Sequence, residues 1–280
     1  MKPIDATVGI AYTTFNRLKL WDYGFKKLIQ TTLEHPKADF IVSISDDGSD
    51  EEQLKYLRFM VEGMRQYCVV QFEEGKLANI ARNRNRALSH VQTCDYVFLF
   101  EDDIYPFNPA WIDGYVHALD SFHHCMYLPK IMWPDQAPFG TTPDGLHISK
   151  SRDCGGIMLG FTGEMIKNIG GFDYNFGIYG FEHADLTERA NVSVNRKSNI
   201  YLTIDEAEQQ HWFVSADEHN CSDYGWGLTE DQWKAMDAGS IGQRLTPDEI
   251  QRSIMYNNTI WMKSRERTAK GDLYREIKWQ

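Results

Sequence analysis

Five apolar or aromatic residues, Tyr96-Val97-Phe98-Leu99-Phe100, run straight into three carboxylates, Glu101-Asp102-Asp103, before the chain turns apolar again at Ile104-Tyr105-Pro106. A short apolar run of this kind reads as a buried strand. Three adjacent carboxylates at its end repel one another unless a cation meets them. Mg²⁺ and Mn²⁺ take one or two carboxylates together with phosphate oxygens and water. A second acidic group, Asp46-Asp47-Gly48-Ser49, ends an earlier strand-like run, Phe40-Ile41-Val42-Ser43-Ile44. Open α/β sheets bind ligands in the crevice outside the carboxyl ends of their strands. Two acidic strand ends therefore point to one site for a nucleoside diphosphate and a divalent cation.

The rest of the first hundred residues alternates in period. Val8–Tyr12, Phe40–Ser45, Cys68–Phe72 and Tyr96–Phe100 read as strands, and Leu18–Leu33, Asp50–Tyr67 and Leu77–Val91 as helices. Strands alternating with helices of this length imply right-handed βαβ units and a mostly parallel sheet flanked by helices. Beyond Pro106 the pattern loosens. A helix is expected within Pro106–His123 and another over Thr162–Ile169, stopped by Gly170-Gly171. Residues 134–156, punctuated by Gly, Pro and Asp, read as loops over the sheet. Thr229-Glu230-Asp231-Gln232 and Thr246-Pro247-Asp248-Glu249 both match the capping-box pattern that starts a helix. The expected organisation is one α/β domain over 1–220 with a helical C-terminal extension, 221–280, packed on it.

Composition excludes some classes. A net charge of −11 argues against a general polyanion binder. Five cysteines without a Cys-x-x-Cys pair fit neither a zinc ribbon nor a disulfide framework, and suit a reduced, cytoplasmic protein. No signal-peptide pattern follows Met1, and no apolar run approaches the roughly 18 residues of a membrane span.

Taken in order, Asn16-Arg17, Asp46-Asp47-Gly48-Ser49, Ala81-Arg82-Asn83, Glu101-Asp102-Asp103, Gly170-Gly171-Phe172-Asp173 and Gly180-Phe181-Glu182 resemble the motif series of a GT-A glycosyltransferase of the family 2 type. The similarity covers roughly residues 7–213, and Gly170–Arg189 also resembles the β-1,4-galactosyltransferase branch. The resemblance implies a metal-dependent transfer of a sugar from a nucleotide-sugar donor, a UDP sugar, to a hydroxyl acceptor. It implies Mn²⁺ or Mg²⁺ on Asp103 at the Asp-x-Asp position. Glu101 stands where the first Asp would be and would reach the ribose hydroxyls or, through water, the metal, with Asp102 also lining the donor. Asp46 and Asp47 would hold base and ribose, or form the turn that caps the next helix, or do both. Thr13 and Arg17 belong to the same crevice. Arg82 matches the Ala-Arg-Asn element, whereas Lys76, Arg84 and Arg86 are either further cations for the diphosphate or a solvated helix face. Gly155-Gly156 suits close approach of donor or acceptor, or a tight turn.

Glu182-His183-Ala184-Asp185 is the expected catalytic segment. Inverting relatives carry Glu-Asp here, and that Asp deprotonates the acceptor. This chain has His183 in its place, with Asp185 two residues on as orienting group or substitute base. If neither acts, the segment only binds acceptor and the enzyme is of the retaining type. His211, 29 residues beyond Glu182, matches the metal-binding His of the galactosyltransferase branch, with His219 as its rival. Trp133, Tyr179, Phe181, Trp212 and Trp226 are candidate sugar platforms or core. The acceptor expected is a glycan or a lipid-linked saccharide. A hydroxymethylated DNA base is an alternative that needs a local basic groove. A nucleotidyltransferase, which should have a Gly-rich phosphate loop after its first strand, and a non-catalytic nucleotide or glycan module are the rival classes.

Overall fold

The structure, a computed structural model, describes residues 6–17, 24, 26–33, 38–75, 80–130, 133–152, 154–155, 157–178, 180–215 and 246–278. Strands β1 (Ala6–Thr14), β2 (Ala38–Asp46), β3 (Val69–Glu74) and β4 (Tyr96–Phe100) pair in parallel, in the order β3-β2-β1-β4. β4 is buried on both faces. Phe98 and Phe100 pack with Trp111 and Tyr115 on one side, while Val97 and Leu99 pack with Ala87, Leu88 and Phe161 on the other. That double burial is why the strand reads as a continuous apolar run rather than an alternating one.

Beyond β4 the same sheet continues through β9 (Met158–Thr162), β6 (His124–Tyr127), β10 (Tyr201–Ile204), β8 (His147–Ser151) and β7 (Ala137–Thr141). Only β9 and β8 run against the common direction. The loops expected over 134–156 are thus corrected to an edge hairpin, β7–β8. β7 is exposed throughout and carries Pro138 and Gly140, so its sequence signals a loop although its backbone pairs as an edge strand. A second ribbon joins β5 (Ile104–Pro106) to β11 (Phe213–Ser215), antiparallel.

Helices cover both faces. α1 (Glu51–Met64) buries Leu57, Met60, Val61 and Met64, and the Asp50 side chain caps it by accepting from Gln53 N at 3.1 Å. α2 (Ile80–Ser89) and α3 (Ala110–Phe122) lie on opposite faces, α2 against Val97 and α3 against Phe98. Of the helix expected over Leu18–Leu33, the described part ends in a π-helical turn, Ile29–Leu33. α4 (Gly163–Ile169), α5 (Glu182–Ser193) and α6 (Asp205–Gln209) follow.

The second expected capping box is present at Thr246 and Glu249, and starts α7 (Pro247–Ala269). The first, at 229–232, lies outside the described residues. α7 packs on α5. Asn257, fully buried, accepts from Gly177 N at 2.7 Å and donates to Gly180 O at 3.0 Å. Trp261 stacks on Phe181 with ring centroids 4.8 Å apart. Past the helix, Arg275 N donates to Ile169 O and Gly171 N to Arg275 O. The C-terminal segment therefore grips the loop that leads into α5. No helix among the described residues is long and apolar enough to cross a membrane, and Cys68, Cys94, Cys125 and Cys154 are free thiols.

Candidate functional site

The acidic strand ends lie on one edge because the strands are parallel and in register. Tyr12 pairs with Phe100, and Thr14 with Asp46, so Thr13 and Thr14 lead out of β1 between the Asp46 loop and Glu101. The loop after β2 is closed by its own side chains. Asp46 Oδ1 accepts from Gly48 N and Ser49 N, both at 2.9 Å, and its Oδ2 accepts from Ser49 Oγ at 2.5 Å. Asp46 thus forms the turn that Asp-Asp-Gly-Ser favours, with three hydrogen bonds on its two oxygens. Asp47 is buried and faces the Arg86 guanidinium at 3.9 Å. The loop after β1 is stitched to this turn. Asn16, in the left-handed region at φ 51°, donates from its N to Ser49 Oγ and accepts from Asp50 N through its side chain.

Arg17 comes off that loop and reaches the carboxylate triplet. Its Nη1 donates to Asp102 Oδ1 at 2.7 Å and to Asp103 Oδ2 at 2.8 Å. Burial opposes the guanidinium's charge, but the two aspartates outweigh burial and raise its pKa above the ordinary value. Burial in turn pushes Asp102 up to about 6, against the pull of Arg17 and with repulsion from Asp103 adding to it.

Arg84 holds the other half. It is buried, its Nη1 donates to Glu182 Oε1 at 2.5 Å, and its Nη2 pairs with Glu101. His183 Nε2 lies 3.4 Å from Glu101 Oε1 and 3.5 Å from Glu182 Oε1. Phe172 backs the cluster, 5.4 Å below Arg84 and edge-on to His183. Burial, helped by the charge of Arg84, drives the His183 pKa down to about 3, so its imidazole is neutral. Two buried acceptor atoms, Glu182 Oε2 and His183 Nδ1, have no hydrogen-bond partner among the described residues. The carboxylate triplet Glu101-Asp102-Asp103 and two residues of the expected catalytic segment, Glu182 and His183, are thus brought together.

Other expectations are corrected. Asp185 is buried and committed to Arg189, whose Nε lies 2.9 Å from its Oδ2, and Arg189 in turn ties down Ile169 O and Gly171 O. That is a structural ion pair rather than a free base. His211 does not join Asp103. In the β5–β11 ribbon Phe213 pairs with Pro106 and Ser215 with Ile104, so His211 lies past the far end of the ribbon, where Asn108 Nδ2 donates to Gln210 O. No group of three or more His, Cys, Asp or Glu among the described residues is arranged to hold a metal ion.

Arg84 and Arg86 are no solvated face: both are buried, and Arg86 Nη1 donates to Asp46 O at 3.2 Å. Arg82, half-buried, lies one turn before Arg86 on the same helix. Trp212 is core, since a Cβ on Gly114 would fall 2.0 Å from its ring. Gly155 leaves room for Trp133 and Leu128, which a Cβ there would crowd. Gly156, Lys76, Tyr179, His219 and Trp226 lie outside the described residues. Sequence reasoning missed Arg84 as the centre of the site, and its only signal was a cation on the helix face opposite Arg82 and Arg86.

No protein-family model matches the sequence, and no curated protein does. Solved structures do match. "Mannosyltransferase PcManGT from Pyrobaculum calidifontis in complex with GDP-Man and Mn2+" superposes with a TM-score of 0.52 at 14% identity, over 97% of this chain and 81% of that one. This chain has the GT-A fold. "GalNAc-T7 with UDP, GalNAc and Mn2+" gives 0.53 at 11% identity, over 72% of this chain and 44% of that one. "S. aureus TarS 1-349 in complex with UDP-GlcNAc" gives 0.50 at 15% identity, over 95% and 88%. At such identities the GT-A likeness is one of fold.

Proposed function

We propose that this protein transfers a sugar from a nucleotide-sugar donor, a UDP sugar, to a hydroxyl acceptor, with Mn²⁺ or Mg²⁺ as cofactor. One observation supports the reading above all others. A carboxylate triplet on the carboxyl edge of a GT-A sheet is linked through Arg84 to a second buried carboxylate, Glu182, on a separate helix. Similar folds carry GDP-Man, UDP and UDP-GlcNAc, two of them with Mn²⁺, which supports the donor class and the cation.

The donor set fits the cation. Mn²⁺ and Mg²⁺ prefer oxygen ligands and need only one or two carboxylates beside phosphate and water. Asp103 with its neighbour Asp102 supplies these. Bound there, the cation would offset the charge of the leaving diphosphate. Asp47 and Thr13 serve the donor from the neighbouring strand ends, and Arg82 from the first turn of α2. Glu101, held by Arg84, lies between donor and acceptor sides.

On the acceptor side Glu182 is the proton acceptor. Its Oε1 is held by Arg84 and its Oε2 is buried and unpartnered, a position that a substrate hydroxyl would satisfy. His183, neutral beside it, orients the hydroxyl. Attack from this side, opposite the diphosphate, inverts the anomeric configuration. The resemblance of Gly170–Arg189 to the β-1,4-galactosyltransferase branch supports a saccharide acceptor, free or lipid-linked. Residues 1–220 are the transferase unit and 221–280 its extension, in a cytoplasmic protein.

A panel of UDP, GDP and dTDP sugars, scored for hydrolysis with and without Mn²⁺, tests the proposal. Consumption of a UDP sugar that stops with EDTA is expected. Hydrolysis of none, or release of pyrophosphate from a nucleoside triphosphate, contradicts it.

A further inference from the structure

Asp102 and Asp103 are balanced in an unusual way. An arginine commonly pairs with one carboxylate through two nitrogens. Here one nitrogen, Arg17 Nη1, serves two carboxylates, at 2.7 Å from Asp102 and 2.8 Å from Asp103. It acts as a point charge lodged between them. Phe15 N and the loop stitched by Asn16 to Ser49 and Asp50 position the arginine's stem against the same aspartates. All three side chains are about nine-tenths buried, with Arg17 10% exposed.

A small divalent cation such as Mg²⁺ sits about 2.0–2.1 Å from its oxygen ligands. It cannot share the space between these two oxygens with a nitrogen already in hydrogen-bond contact with both. Entry of the metal alone would strand a largely buried guanidinium, which is costly. Entry of a diphosphate alone would set its charge against two carboxylates. Together the two changes balance: the metal takes the carboxylates and the phosphates take the guanidinium, which suits them well.

We propose that Arg17 is an internal counter-cation in the place a divalent metal must enter, so that metal binds this protein tightly only together with a nucleoside diphosphate, which receives the displaced guanidinium. The inference rests on the functional reading above and assigns Arg17 a positioning role within it. Coupling between two ligands is reciprocal, so the diphosphate should likewise depend on metal.

Mn²⁺ binding followed by electron paramagnetic resonance, with and without UDP, tests this without any turnover. Wild-type protein alone should bind Mn²⁺ weakly, and UDP should tighten it by about tenfold or more, within the usual range of such couplings. Arg17→Met should bind Mn²⁺ without UDP about tenfold or more tighter than wild type, and UDP should then add little. Arg17→Lys, which keeps a point charge, should behave as wild type. Equal Mn²⁺ affinity in Arg17→Met and wild type without UDP overturns the proposal. So does tight Mn²⁺ binding by wild type without UDP, a result that needs no variant to fold. Tighter Mn²⁺ binding by Arg17→Met in a protein that hydrolyses no sugar nucleotide supports the arginine's role and removes the functional reading alone.

Discussion

Arg84 and Glu182 stand 98 residues apart in the chain, yet Arg84 Nη1 lies 2.5 Å from Glu182 Oε1. Because Arg84 also pairs with Glu101, one buried guanidinium fastens the first turn of α5 to the end of β4. Replacing it with alanine leaves two carboxylates without their cation. Arg84→Ala should lose about 3–5 kcal/mol of stability, the range for a broken buried pair. Arg84→Lys keeps the charge but not the fork, so it should fold and still lose activity. Urea unfolding and donor hydrolysis, measured together, separate the two effects. An Arg84→Ala protein as stable as wild type would show that the guanidinium does not hold the cluster.

Glu182→Gln should lower kcat by about 10²–10⁴ and leave UDP affinity unchanged, as loss of a general base does. His183→Ala should cost less. With its imidazole held near 3, His183 gives the kcat profile no limb around pH 6.5. An acid limb near 6.5 that disappears in His183→Ala would return the base to the imidazole. Retention of anomeric configuration by NMR would remove the base altogether.

Asp46 and Asp47, adjacent in sequence, should separate in their effects. Asp46→Asn weakens the turn, since its carboxylate accepts three hydrogen bonds there. It should cost about 1–3 kcal/mol, the scale of buried charged hydrogen bonds. Asp47→Asn should raise the KM for donor more than it lowers kcat. Equal melting temperatures for Asp46→Asn and wild type would refute the assignment.

How far the sequence led differs from residue to residue. β4 and its carboxylates were legible because an apolar run and a charge cluster are local signals. The parallel sheet followed from alternating periods. Arg84 was not legible, since a charged residue on a helix looks solvated until distant Glu101 and Glu182 are folded against it. His211 failed for a related reason: a separation in sequence says nothing about register, and the β5–β11 pairing set Ser215 beside Ile104 instead. The turn role of Asp46 was legible from Asp-Asp-Gly-Ser, and three hydrogen bonds on its oxygens form that turn.

Acid should destabilise the fold through its buried histidines. His124 is pushed down to about 3 by burial, which outweighs the opposing hydrogen bond to Gly160 O, and His183 falls to about 3 as well. In the unfolded chain both titrate near 6.5. Between those values the unfolded state binds more protons, so stability is full above pH 6.5 and falls as pH drops towards 3. The slope is roughly 1.4 kcal/mol per pH unit for each imidazole. Urea midpoints from pH 7 to pH 4 should fall more steeply for wild type than for His124→Gln, and parallel curves would refute the account.

A nucleoside diphosphate should seat on the Asp103 edge together with a divalent cation. Calorimetric titration of UDP into the protein with Mn²⁺ tests it most directly, in wild type and in Asp103→Asn. Saturable binding to wild type is expected, weakened by about tenfold or more by EDTA or by Asp103→Asn, with the melting transition kept. UDP binding that is absent from wild type, or equal in both proteins with and without Mn²⁺, would contradict it.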